Sequence, residues 1–120
     1  MFAKHDPGHH TTPLPGIQMK TLCYGERTLM TEFTLERGRT LPVHSHPYEQ
    51  TGYLVTGHIR LRIGSEEHEV RPGDSWCIAA GAEHGAQILE NSVAVEVFSP
   101  VRPDYLPRQD KSAVSEDSSS

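Results

Sequence analysis

The sequence predicts an all-β, single-domain protein built as an antiparallel barrel or sandwich. Three observations predict it. The chain has 120 residues, enough for one hydrophobic core and too few for two. Apolar and polar side chains alternate with period two through several short runs, the pattern of half-buried strands. Glycine- and proline-containing turns separate these runs, and no long helical stripe competes with them.

Composition divides the chain into three stretches. Residues 1–16 carry Pro7, Gly8, Pro13, Pro15 and Gly16, which suits an extended N-terminal arm rather than a packed element. Residues 17–107 form the barrel. There, Leu29, Phe33 and Leu35 share one face, with Glu32, Thr34 and Glu36 on the other. Ile59, Leu61 and Ile63 alternate with His58, Arg60 and Arg62, and Val93, Val95 and Val97 alternate with Ala94, Glu96 and Phe98. Gly64-Ser65 suits a two-residue hairpin with glycine in the first central position, and Pro72-Gly73 has the residue order of a type II turn. The end, "QDKSAVSEDSSS", is polar and serine-rich, so 108–120 is expected to be a disordered tail. No internal repeat is visible.

Charge and hydropathy exclude several partners. With 11 basic and 16 acidic residues the formal charge is −5, and the basic residues are scattered. Neither a nucleic acid nor an anionic membrane finds a matching surface. No apolar run has the length of a bilayer span, and "MFAKHDPGHHTTPLPG" lacks the apolar centre of a signal peptide. A soluble, cytoplasmic protein is expected. Cys23 and Cys77 lie in strand-like surroundings and are expected to be a reduced, buried pair.

The chemistry concentrates in "HSHPYEQTG", His44 to Gly52. On a strand His44 and His46 point to one face. His84 follows a glycine-containing loop, where a strand can begin beside the first pair. Three imidazoles and an oxygen ligand suit a divalent metal and leave positions open for a substrate. Glu49 and Gln50 both offer an oxygen, but as neighbours on a strand they face opposite sides, so only one reaches the cation. His5, His9, His10, His58 and His68 read as solvated surface.

Spacing narrows this further. The first segment runs Gly38, five residues, His44, one residue, His46, three residues, Gln50, six residues, Gly57. The second runs Gly73, seven residues, Gly81, two residues, His84. These resemble the two motifs of the cupin superfamily, a jelly-roll β-barrel. The resemblance covers most of residues 17–107 and implies His44, His46, Gln50 and His84 as ligands of one divalent metal, zinc, nickel, iron or manganese. The family more often has glutamate where Gln50 stands and proline where Ala79 stands. A neutral amide leaves the metal its full charge, which favours Lewis-acid chemistry on a substrate oxygen. Cupins of this size are commonly homodimers, so the resemblance implies a homodimer here.

The third segment, "VAVEVFSPVRPDYL", turns Ala94, Glu96 and Phe98 to the face opposite the three valines. A carboxylate inside a barrel is costly unless it meets a cation or substrate, so Glu96 is expected to face the metal; the alternative is an outward, solvated Glu96. Together with "EQTGYLVTG" and "GAEHGAQILENS", this segment is similar to the small pectin-degradation cupins that linearise unsaturated uronates. That likeness implies a sugar-acid substrate, with Glu96 (aspartate in that family) and Arg102 as catalytic residues. It also implies that Phe98 and Arg102 bind the substrate. The metal would polarise sugar oxygens, Glu96 would move a proton, and Arg102 would pair with the sugar carboxylate. The alternative for Arg102 is a surface salt bridge with the neighbouring Asp104. Two other readings share the residues: an oxygen-dependent cupin dioxygenase, and a non-catalytic small-molecule-binding cupin.

Overall fold

The computed structural model describes residues 1–107; the tail expected at 108–120 lies outside the described residues. Eight strands follow one another, all paired antiparallel: β1 Thr11–Leu14, β2 Ile17–Tyr24, β3 Leu29–Leu35, β4 Thr40–His44, β5 Glu49–Ile63, β6 Glu66–Val70, β7 Ser75–Ile78 and β8 His84–Ser99. One short 3-10 turn, Pro103–Tyr105, follows β8. Among the described residues there is no α-helix, and no helix long and apolar enough to cross a membrane.

Two long strands make the barrel. β5 has 15 residues and β8 has 16, and they pair along their length from Glu49↔Ser99 to Ile63↔His84. Register slips three times between Leu54 and Ile59, and there both strands pass from one sheet to the other. On one side of the bend, β3 pairs the far half of β8 and β7 pairs the near half of β5. On the other side, β4 pairs the start of β8 and β6 pairs the end of β5. This is the jelly-roll arrangement, two sheets sharing two bent strands.

Period-two alternation resolves into an inside and an outside. Leu29, Phe33, Leu35, Leu54, Ile59, Leu61, Ile78, Ile88, Ala94 and Phe98 are buried between the sheets. Each large aliphatic or aromatic side chain among them contributes about 1.5–3 kcal/mol. The hairpin at Gly64-Ser65 joins Ile63 to its partner Glu66. At Arg71–Asp74 the Asp74 N–H donates to Arg71 O at 3.0 Å. Gly73, at φ 95°, supplies the left-handed residue a type II turn requires.

Parity also corrects one expectation. Both cysteines are free, but Cys23 is half-buried and Cys77 is exposed, so they are not a buried pair. In β7 the inward positions belong to Trp76 and Ile78, which turns Cys77 outward beside Thr51. Along the same outer face lie Val93, Val95 and Val97, with Met30, Tyr53 and Val55 exposed near them.

Candidate metal centre

Strand pairing sets two of the histidines side by side. His44 ends β4, His84 begins β8, and the two are register partners. Alternation alone does not place His46, because β4 has already ended. A backbone hydrogen bond does, from Gly81 N–H to His46 O at 2.8 Å, tying its loop to the turn before β8. Ligand atoms of His44, His46 and His84 all lie within 4.8 Å of one another. Gln50, on β5, is buried beneath them, with its Oε1 2.9 Å from His46 Nε2. Its neighbour Glu49 is exposed on the other face.

The hydrogen bonds of the rings suit a cation. The Nδ1 atoms of His44 and His84 lie 2.9 Å from the carbonyls of Pro42 and Ala82 respectively. A carbonyl only accepts, so each Nδ1 is the donor, and in the neutral ring that arrangement leaves the Nε2 lone pair for a metal. His46 lacks such an anchor: its Nδ1 is buried without a partner. Burial lowers the pKa of His46 and of His84 below the ordinary histidine value, with nearby positive charge adding to the effect. Both rings are therefore neutral at pH 7, the form that ligates. When His46 Nε2 is unprotonated it faces Gln50 Oε1, acceptor against acceptor, an arrangement that a cation between them resolves. This donor set fits one metal ion.

Beside these four residues stands a carboxylate. Gln50 Nε2 donates to Glu96 Oε1 at 2.5 Å, and Trp76 Nε1 donates to the same oxygen at 3.1 Å. Glu96 Oε2 accepts no hydrogen bond from the described side chains. Burial raises the Glu96 pKa above the usual carboxylate range, against the pull of these two donors and of Arg102. The indole reaches Glu96 because its register partner is Gly52. A Cβ at that position would come within 2.1 Å of the Trp76 indole.

Arg102 closes the other side. Its guanidinium carbon lies 4.0 Å from the Tyr105 ring centroid, 5.0 Å from Phe98 and 5.2 Å from Tyr48. Nη2 and Nε donate to Asp104 at 2.9 and 3.3 Å. Arg102 thus both pairs with Asp104 and lines the cavity, a space of about 130 Å³ that His44, Gln50, His84, Glu96 and Phe98 also line. Trp76 and Tyr105 line it as well, and neither stood out in the sequence. A signal existed for Trp76: it shares the inward face of β7 with Ile78. Tyr105 lies beyond the last strand, where alternation is silent.

Fold and site together define a cupin, and the chain belongs to that family: the Cupin_2 model, a cupin domain, matches residues 31–99. Among characterised relatives it is similar to the pectin degradation protein KdgF of Dickeya dadantii (strain 3937). The two are 28% identical over 93 residues, which span 76% of this chain and 84% of that protein. The structure of KdgF from Halomonas sp. superposes with a TM-score of 0.83 at 29% identity, covering 88% of this chain and 98% of that one. An RmlC-like cupin from Shewanella frigidimarina NCIMB 400 shares the fold, with a TM-score of 0.82 at 21% identity over 88% and 95% of the two chains.

Proposed function

We propose that the protein is a metal-dependent enzyme that opens the ring of 4,5-unsaturated uronate monomers to their open-chain keto form. The observation that carries this reading is one small cavity lined by histidines of a cluster that could hold a metal ion, a carboxylate and a guanidinium together. The likeness to KdgF, a pectin degradation protein by name, supports the same substrate class.

A divalent ion held by His44, His46, Gln50 and His84 would supply Lewis acidity toward the sugar oxygens, undiminished by any anionic ligand. Glu96 takes the proton of the C1 hydroxyl on Oε2, the oxygen its donors leave free. The bond from C1 to the ring oxygen then breaks as the C1 carbonyl forms. The released enolate takes that same proton at C4 and becomes the C5 ketone, so the reaction is an isomerisation with no atom gained or lost. A buried carboxyl with a raised pKa both takes and returns that proton. Arg102, anchored through Nε and Nη2, offers Nη1 to the sugar carboxylate. Phe98 and Tyr105 wall the cavity beside it. We also infer that two copies associate through the valine-bearing outer face, which leaves Met30, Tyr53 and Val55 exposed.

The test is to incubate the metal-loaded protein with unsaturated galacturonate monomer and follow the loss of ring anomeric signals by NMR. Wild type should accelerate that loss, and His46→Ala and Glu96→Gln should abolish the acceleration. A wild-type rate equal to the blank with each of zinc, nickel, iron and manganese overturns the reading. Oxygen uptake with iron would instead favour a dioxygenase, and bound ligand without turnover a binding module.

A further inference from the structure

We propose that Glu96 and Trp76 are positioning residues for the metal ligand Gln50, holding its amide with the oxygen toward the histidines and the nitrogen away. The proposal rests on the four-ligand reading above and adds to it the reason Gln50 can serve as a ligand.

An amide ligand carries a hazard that a carboxylate does not. Its oxygen and nitrogen have nearly the same shape, and only the oxygen has a lone pair to give. Turned over, Gln50 would present an NH₂ group to the metal and bind nothing. Rotation about its last bond must therefore be decided by something outside the amide.

Three groups decide it in sequence. The indole N–H of Trp76 is a donor only, so the Glu96 oxygen facing it, Oε1, is an acceptor. That same oxygen faces Gln50, which must then offer it the NH₂ group. With the nitrogen committed to Glu96, the Gln50 oxygen is left facing His46 Nε2. Gly52 makes the first step possible, because only a residue without Cβ leaves the indole its place across from Glu96. Glutamine at position 50 follows from the same geometry. A glutamate there would set two carboxylates against each other at the 2.5 Å now spanned by a hydrogen bond. The amide instead joins the metal on one side to Glu96 on the other.

Zinc affinity, measured by competition with a chromophoric chelator, tests this without reference to any substrate. Glu96→Gln should hold zinc within about threefold of wild type, since an amide oxygen still accepts from both donors. Glu96→Ala should weaken zinc by about 10–100-fold, the usual cost of losing a group that orients a ligand, although residue 96 touches no metal. Trp76→Phe should fall between the two. Gln50→Glu combined with Glu96→Ala should bind as wild type does, because a carboxylate has no wrong face. Zinc binding by Glu96→Ala equal to wild type overturns the proposal, and so does an equal loss in Glu96→Gln, which would mark charge rather than orientation. Should Glu96→Ala not fold, Trp76→Phe decides alone, with undiminished affinity as the adverse result. A wild type that holds no zinc, nickel, iron or manganese instead brings down the four-ligand reading on which the proposal stands.

Discussion

His44 and His84 face each other as register partners across β4 and β8, with ring centroids 4.3 Å apart. Forty residues separate them in the chain, yet one antiparallel ladder brings their rings together. Each is anchored through Nδ1 to a carbonyl two residues earlier, which fixes both rings and leaves each Nε2 as the atom available to a metal. The His44–His84 half of the site is thus part of the strand ladder itself, and only His46 comes from a loop.

Removing one of this pair should remove the metal. His84→Ala should leave the purified protein with little bound metal, while wild type carries about one ion per chain. Elemental analysis after gel filtration measures this. Chelation of the wild type should lower its melting temperature, since a ligand that binds only the folded state stabilises it. His84→Ala should melt at one temperature with or without chelator.

Arg102 should matter through its shape as well as its charge. Its guanidinium lies over Tyr105 and uses one edge on Asp104. A lysine keeps the charge and loses both the flat stacking surface and the fork. Arg102→Lys should raise KM for the unsaturated uronate by about tenfold, equivalent to roughly 1.4 kcal/mol, with a smaller change in kcat. Steady-state kinetics on the acid and on its methyl ester check this, and the ester should show little difference between the two proteins.

Gly52 should tolerate no side chain. An added Cβ meets the Trp76 indole, and overpacking of this kind typically costs about 1–3 kcal/mol. Gly52→Ala should lower the denaturant midpoint accordingly. Trp76 is the single tryptophan of the chain, so its fluorescence emission should move to the red as the ring is pushed out.

The outer sheet face should control association. Val95 and Tyr53 are register partners there, and Tyr53 is 49% exposed. Val95→Glu should convert a dimer to a monomer in light scattering, with the far-ultraviolet circular dichroism unchanged. A monomeric wild type would remove the dimer from the proposed function.

Much of the fold was legible because strand alternation is a local property. Leu29, Phe33 and Leu35 alternate with polar neighbours in the sequence and are buried as a set in the barrel. The exposed Cys77 shows where the same reasoning failed: strand-like surroundings were recognised, but its face within β7 was not. His46 shows another limit. Its place depends on a hydrogen bond from Gly81, a contact that no periodicity announces.

By itself the sequence determined an all-β chain of one domain, the spacing of its histidines, and the opposition of Glu49 to Gln50. These follow from side-chain alternation and turn chemistry, which act between near neighbours. Only the tertiary structure decided that Gln50 and Trp76 meet on one oxygen of Glu96. The first pair is 46 residues apart and the second 20, and strand register, a product of the whole barrel's packing, is what brings them together.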